Sequence, residues 1–162
     1  MISRRNIRVK IMQVLYALDL SEDATGKLKP EKLLEVHFTA SKRLFLYLLY
    51  YITEVARYAE TDAKSRGNKQ LPSEDDLNVN IKLAGNDLLW TILESPSYKT
   101  WIGGQTLSFA DTPEQVKKTY QTLCNTDLYK NYIGVEGRRK NDETAMLRFI
   151  FTDLMLPDEG FI

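Results

Sequence analysis

The sequence holds very little of the chemistry from which catalytic and metal sites are built. Its 162 residues include one cysteine, Cys124, and one histidine, His37. A single cysteine excludes an intramolecular disulfide, and a tetrahedral zinc site would need carboxylates for most of its ligands. The chain also contains no phosphate-binding P-loop, no dinucleotide-binding glycine pattern and no nucleophile elbow. We therefore expect neither an enzyme nor a bound cofactor or metal ion.

Long hydrophobic runs are also missing. The longest apolar run covers residues 44–52, about half of the ~20 residues that a membrane-spanning helix requires. The N-terminus carries positive charge but lacks the continuous apolar stretch and small-residue cleavage site of a secretory signal. We expect no membrane partner and a cytoplasmic location, which agrees with the scarcity of cysteine.

The chain has no excess charge of either sign, since 22 lysines and arginines balance 22 aspartates and glutamates. Proteins that bind nucleic acid over their whole surface are usually basic, so any such binding must use a local patch. Residues 4–10 carry four positive charges and no negative one. They are either such a patch or the solvated start of a surface helix.

Hydrophobic periodicity predicts helices throughout and no strand, because no segment alternates with period two for long enough. We predict an all-α fold, a helical bundle of about six helices in a single domain over residues 1–162. Polar or glycine-rich breaks are predicted at 21–26, 66–76, 103–104 and 134–137. The predicted helices are 4–20, 30 to about 65 with a bend or break at 39–42, 78–94, a helix that starts at 111–115 and carries Cys124, a short segment at 128–133, and 141–155.

The first predicted helix has two different faces. One is apolar and is formed by Ile7, Ile11, Val14, Leu15 and Leu18. The opposite face carries Arg5, Arg8, Met12 and Tyr16, with Gln13 beside it. Arginines in a first helical turn oppose the helix dipole by up to about 1 kcal/mol each. A bound phosphate would offset this, because backbone N–H groups and arginines would then act together.

Three other features are better explained by structure than by function. The Arg138–Lys140 cluster reads as a solvated turn, and the tyrosines of the second helix, Tyr47, Tyr51 and Tyr58, have the spacing of helix packing. Cys124 falls in the apolar register of its helix and reads as a buried hydrophobe.

The opening sequence resembles the first helix of the NusB family of bacterial transcription antitermination factors. The residues that carry the resemblance are Arg4, Arg5, Arg8, Gln13, Leu15 and Tyr16. The family is all-helical, with two small bundles, and it binds the boxA element of nascent RNA together with NusE, a small-subunit ribosomal protein. The resemblance therefore implies single-stranded, boxA-like RNA and NusE as partners. It also implies RNA contacts by Arg4, Arg5, Arg8, Gln13 and Tyr16, and a core position for Leu15.

The resemblance covers about a tenth of the chain, and no second family signature follows near the C-terminus. Two explanations stay open: the chain is the N-terminal part of an elongated member, or a divergent protein that shares only the first helix. Two other functions also stay open. One is a helical protein-interaction module without RNA binding, for which a homodimer is one arrangement. The other is a NusB-like accessory domain of an RNA-methyltransferase.

Overall fold

The protein is all-α, as the sequence predicts. The computed structural model describes residues 3–20, 29–103 and 112–158, and all regular secondary structure within them is helical. The elements in chain order are α1 Arg4–Leu20, α2 Pro30–Gly67, α3 Glu74–Leu77, α4 Asp87–Glu94, α5 Pro96–Gly103, α6 Thr112–Cys124, α7 Asp127–Gly134, α8 Lys140–Phe149 and a π-helical segment Ile150–Met155.

The chain divides into two compact units, Met1–Leu48 and Leu49–Ile162, which we call the N-terminal and C-terminal units. The division falls inside α2. In the N-terminal unit the described helices are α1 and the first half of α2, whereas the C-terminal unit holds the second half of α2 and all later helices. The single domain predicted from the sequence stays a prediction.

The second helix is longer and more regular than its sequence suggested. It begins at Pro30, whose fixed φ suits a first helical turn, and it continues to Gly67. The helix is continuous through residues 39–42, so a break there, predicted as the alternative to a bend, is wrong; no proline or glycine interrupts residues 31–66. Ser41 also fits the helix, since its hydroxyl donates to the carbonyl of His37 at 2.9 Å.

The helix predicted over 78–94 is shorter than expected, and Asn86 is the reason. Its side-chain oxygen accepts hydrogen bonds from the N–H groups of Leu88 and Leu89, at 3.0 and 3.3 Å. This is an N-cap, so α4 begins only at Asp87. Residues 78–86 are non-helical, with a turn at 82–85, and a short unexpected helix, α3, lies at the end of the loop predicted at 66–76.

Two further boundaries differ from the prediction. Residues 95–97 were predicted to stop a helix, and α4 does end at Glu94. Pro96 also begins a new helix, α5, because proline is well suited to the first turn of a helix. The last predicted helix, 141–155, is present as α8 followed by the π-helical segment, whose wider hydrogen bonding the sequence did not indicate. Expectations placed on residues 21–26, on Gly104 and on Asp111 lie outside the described residues.

Tyrosines form much of the core of the C-terminal unit. The rings of Tyr58 and Tyr120 lie 5.3 Å apart between centroids, and Tyr120 and Tyr129 meet edge to face at 6.4 Å. Tyr51 pairs its hydroxyl with that of Thr119 at 2.8 Å. The packing role predicted for the tyrosine spacing of α2 is therefore confirmed for Tyr51 and Tyr58.

A buried carboxylate, that of Glu143 in α8, joins three elements of the same unit. Its Oε1 accepts from the Tyr132 hydroxyl at 2.9 Å and from Arg138 Nη1 at 3.2 Å. Its Oε2 accepts the backbone N–H of Asp87 at 3.2 Å. The start of α4, the middle of α7 and the first turn of α8 are thus held by one side chain, which is only 2 % exposed.

The turn at 82–85 closes over this carboxylate through Arg138. The second guanidinium nitrogen donates to the carbonyl of Lys82 at 3.1 Å. Gly85 permits this approach, because a Cβ at that position would lie 2.4 Å from Arg138 Nη2. Arg138 therefore contributes to the structure through Glu143 and Lys82, although it lies in the exposed class, as Arg139 and Lys140 of the predicted solvated turn also do.

We expect Glu143→Ala to lower the free energy of unfolding by about 1–3 kcal/mol for each buried donor that loses its acceptor, namely the Tyr132 hydroxyl and the Asp87 N–H. Glu143→Gln keeps the shape of the side chain and should cost about 1–3 kcal/mol. Urea denaturation followed by circular dichroism measures both values. The matched control is Glu136→Gln, since Glu136 is exposed in the preceding turn. A Glu143→Gln protein as stable as the unmodified chain would contradict this account.

The tyrosine core should make the fold sensitive to alkali. Burial is the main cause that raises the pKa of Tyr98, Tyr120, Tyr129 and Tyr132 above the ordinary value of 10.0. A raised pKa means that the folded state favours the neutral phenol, so this stability is complete below pH 10 and is lost as the pH rises beyond it. In a phenolate absorbance titration, we expect these four to ionise only as the chain unfolds above pH 10. Titration of all nine tyrosines near pH 10 in the folded chain would contradict this prediction. The control is the chain unfolded in urea, in which all nine tyrosines should titrate near pH 10.

Candidate nucleic-acid interface

The start of α1 combines a capped helix N-terminus with positive charge. The N–H of Asn6 donates to the hydroxyl of Ser3 at 3.2 Å, so Ser3 acts as the N-cap. Arg4 and Arg5 follow directly in the first turn, which contains no acidic residue. The backbone N–H groups of the turn and the two guanidinium groups therefore present the same sign of charge to solvent.

The arginines predicted to bind RNA are exposed, and none of them has an acidic partner among the residues that the structure describes. Arg4, Arg5 and Arg8 all lie in the exposed class. None of the ion pairs found between residues that the structure describes involves them. They differ in this from Arg138 and Arg66, which are paired with Glu143 and Asp62. Unpaired cations on a helix face remain available to an external anion.

The cationic stripe, which we define as Arg5, Arg8, Met12 and Tyr16, is exposed over its length. Tyr16 and Met12 are each 66 % exposed. A large aromatic side chain beside arginines, with most of its surface in water, is the arrangement that single-stranded nucleic acids use for base stacking. The face predicted from the helical wheel is therefore accessible to such a ligand.

The apolar face of α1 is less buried than predicted. Val14 is its one fully buried residue, whereas Leu15, given a core position by the family resemblance, is 51 % exposed. The core assignment of Leu15 is wrong in this structure. Ile7 and Ile11 on the same face are also exposed, at 37 and 38 %, so the exposure is not confined to Leu15.

A groove lies between α1 and α2 within the N-terminal unit, next to the cationic stripe. Its volume is about 340 Å³. It is lined by Asn6, Val9, Lys10, Gln13, Phe38 and Ser41. We call it the α1–α2 groove. Gln13, predicted as a flank of the cationic stripe, thus belongs to a second row of side chains.

The other residues of this groove were not predicted as site residues from the sequence. The available signal was the spacing of residues 6, 9, 10 and 13, which places them on one helix face at i, i+3, i+4 and i+7. Three of the four are polar, so hydrophobic periodicity does not distinguish this row as an amphipathic face. Phe38 and Ser41 could not be paired with it without knowing which side of α2 faces α1.

Charge is unevenly divided between the two units, although the total is zero. The N-terminal unit, residues 1–48, contains nine lysines and arginines but five aspartates and glutamates. The C-terminal unit contains the remaining 13 basic and 17 acidic residues. The local positive region that nucleic-acid binding requires is therefore a property of the unit that carries α1.

The single cysteine is only half-buried, so the buried position predicted for Cys124 is met in part. Burial raises the pKa of its thiol, which favours the protonated form. Across residues 3–20, 29–103 and 112–158, no group of three or more histidine, cysteine or acidic side chains is arranged to hold a metal ion. No helix in the same ranges has the length and apolar character needed to cross a membrane.

Comparison with known proteins adds no relative. No protein-family model matches the chain. No curated protein and no solved structure matches it either. The functional assignment therefore depends on the geometry of α1 and α2 and on the resemblance in the opening helix.

Proposed function

We propose that this protein is an RNA-binding factor of the NusB type, which binds single-stranded RNA through α1 and does not itself catalyse a reaction. The observation that carries the proposal is the row of exposed arginines at the start of α1, without internal carboxylate partners among the described residues. The positive balance of residues 1–48 and the aromatic ring of Tyr16 beside the arginines support it.

The proposed mechanism divides the work between charge and shape. Arg4, Arg5 and Arg8 contact phosphates, which supplies affinity and fixes the register of the RNA without reading its sequence. Tyr16 stacks on an unpaired base, and the amide of Gln13 is placed to hydrogen-bond with a base edge. Unpaired bases are required, since the edges of paired bases are poorly accessible in an RNA duplex.

The identity of the RNA and of a protein partner comes from the family resemblance. On that basis the RNA is a boxA-like element and the partner is NusE, so that the complex acts in transcription antitermination or termination in the cytoplasm. Both halves of this assignment can be tested together. Binding to a boxA-type RNA is compared with binding to a scrambled RNA, with and without purified NusE, and the proposal requires specific binding that NusE strengthens.

The first variants to test are Arg5→Ala and Arg8→Ala. Each should weaken binding to all single-stranded RNAs, because each removes one phosphate contact. The slope of log affinity against log salt concentration should become shallower by about 0.7 per arginine. Fluorescence anisotropy with a labelled RNA at several salt concentrations measures both quantities.

The matched control for these variants is Arg148→Ala, an exposed arginine of α8 in the other unit. It should leave the affinity and the slope unchanged. If the α1 variants also leave both unchanged, the arginines of α1 do not bind RNA and the proposed function is wrong.

Tyr16→Ala tests the stacking contribution. We expect it to cost about 1–3 kcal/mol of binding free energy, whereas Tyr16→Phe should retain most of the affinity because the ring is preserved. The side chain is largely exposed, so neither change should affect folding. Equal losses for alanine and phenylalanine would show that the hydroxyl, not the ring, makes the contact.

A second candidate function, a protein-interaction module, is favoured by a different observation. Large apolar side chains of the N-terminal unit are exposed, among them Leu20 at 62 %, Val36 at 63 % and Phe45 at 58 %. Apolar surface of this kind is common at protein interfaces. The two candidates separate cleanly, since a chain that forms RNase-resistant oligomers or hetero-complexes and binds no RNA supports the module alone.

A further inference from the structure

The α1–α2 groove has a chemical character different from that of the cationic stripe. Two amides, Asn6 and Gln13, lie at its α1 side together with the ammonium of Lys10. Phe38 supplies an aromatic ring from α2, half-buried, and Ser41 a hydroxyl. A groove for phosphate alone needs only cations and N–H groups. Here one cation is combined with neutral hydrogen-bonding groups and a ring.

The hydrogen-bonding capacity of the groove is only partly used by the protein. The Ser41 hydroxyl donates its hydrogen bond to the carbonyl of His37, at 2.9 Å. Its oxygen can therefore still accept a hydrogen bond from a ligand. Each of the two amides offers both donors and an acceptor. A ligand that pairs with this set must itself carry donors and acceptors in close alternation.

An unpaired nucleobase meets these requirements. It has a flat face for Phe38 and an edge on which donors and acceptors alternate. The volume of about 340 Å³ lies within the about 300–1,000 Å³ that ligand pockets span, so the groove has room for a base.

The groove also lies where an RNA bound to the cationic stripe would pass. At 100° per residue, Val9 on the rim of the groove is about 20° around α1 from Tyr16. A strand held by Arg5 and Arg8 can therefore place its backbone on the stripe and turn one base into the groove.

We propose that the α1–α2 groove is a base-recognition pocket that takes one unpaired nucleobase of a single-stranded RNA, with Phe38 stacking on the base and Asn6, Gln13 and Ser41 hydrogen-bonding its edge. Lys10 binds an adjacent phosphate. The inference rests on the proposed function, because the arginines of α1 bring the RNA to the groove.

The test uses the full chain and two probes, a short single-stranded RNA of mixed sequence and inorganic polyphosphate. Polyphosphate has the charge of the RNA backbone but no base. The variants are Gln13→Leu and Phe38→Leu. Their matched controls are Gln121→Leu, an exposed glutamine of α6, and Phe45→Leu, a more exposed phenylalanine of α2 that does not line the groove.

We expect Gln13→Leu and Phe38→Leu to weaken RNA binding about 5- to 100-fold and to leave polyphosphate binding unchanged. The two control variants should behave like the unmodified chain with both probes. Circular dichroism melting checks that Phe38→Leu still folds. Gln13 is exposed, so its variant carries the test if the other does not fold.

Three outcomes would overturn the inference, and they are distinguishable. If RNA and polyphosphate bind but neither groove variant changes RNA affinity, the groove does not hold a base and the arginine surface alone binds RNA. If both probes are weakened equally by Gln13→Leu, the groove is part of a general anion site. If the unmodified chain binds neither probe, the proposed function fails and the groove inference fails with it.

Discussion

A single carboxylate, that of Glu143, is withdrawn from water in the C-terminal unit, and this constraint organises much of what surrounds it. An ionised carboxylate can be buried only if nearby donors replace its hydration. Tyr132, Arg138 and the backbone N–H of Asp87 do so, at 2.9 to 3.2 Å. Because these donors come from α7, the following turn and the start of α4, satisfying one charge fixes the approach of three elements.

The same requirement explains several local choices of residue. Gly85 lets the guanidinium of Arg138 lie close to the backbone, since a Cβ there would force the guanidinium to shift away from its partners. Lys82 secures the turn from the other side, since its ammonium donates to the carbonyls of Tyr132 and Val135 at 2.8 and 2.7 Å. Asn86 caps α4 and also donates from its amide to the carbonyl of Glu143. The turn at 82–86 is thus held by polar contacts where a sequence pattern suggested only helix.

Helix content and the extent of long helices could be predicted because they depend on local periodicity. The first helix, Arg4–Leu20, and the exposed cationic stripe on it follow from spacing alone. What could not be predicted depends on contacts between distant residues. Asn86 was read as an internal helix residue because its capping role depends on where the preceding turn is fastened. Likewise, predicting the α1–α2 groove requires knowing which side of α2 faces Lys10 and Gln13. Predicting the exposure of Leu15 requires knowing which residues pack against α1.

The balance of charge between the units bears on the kind of binding that α1 can support. Contacts between exposed arginines and phosphates are screened by salt and fall off within about 10 Å at 0.1 M ionic strength. Such contacts give affinity that depends on conditions and carries no sequence information. The proposed stacking on Tyr16 and the proposed hydrogen bonds in the α1–α2 groove depend much less on salt, and they distinguish bases from bare phosphate. A chain with no net charge cannot rely on long-range attraction alone. In the proposed complex, selectivity for RNA over other polyanions therefore comes from the neutral and aromatic side chains near the arginines.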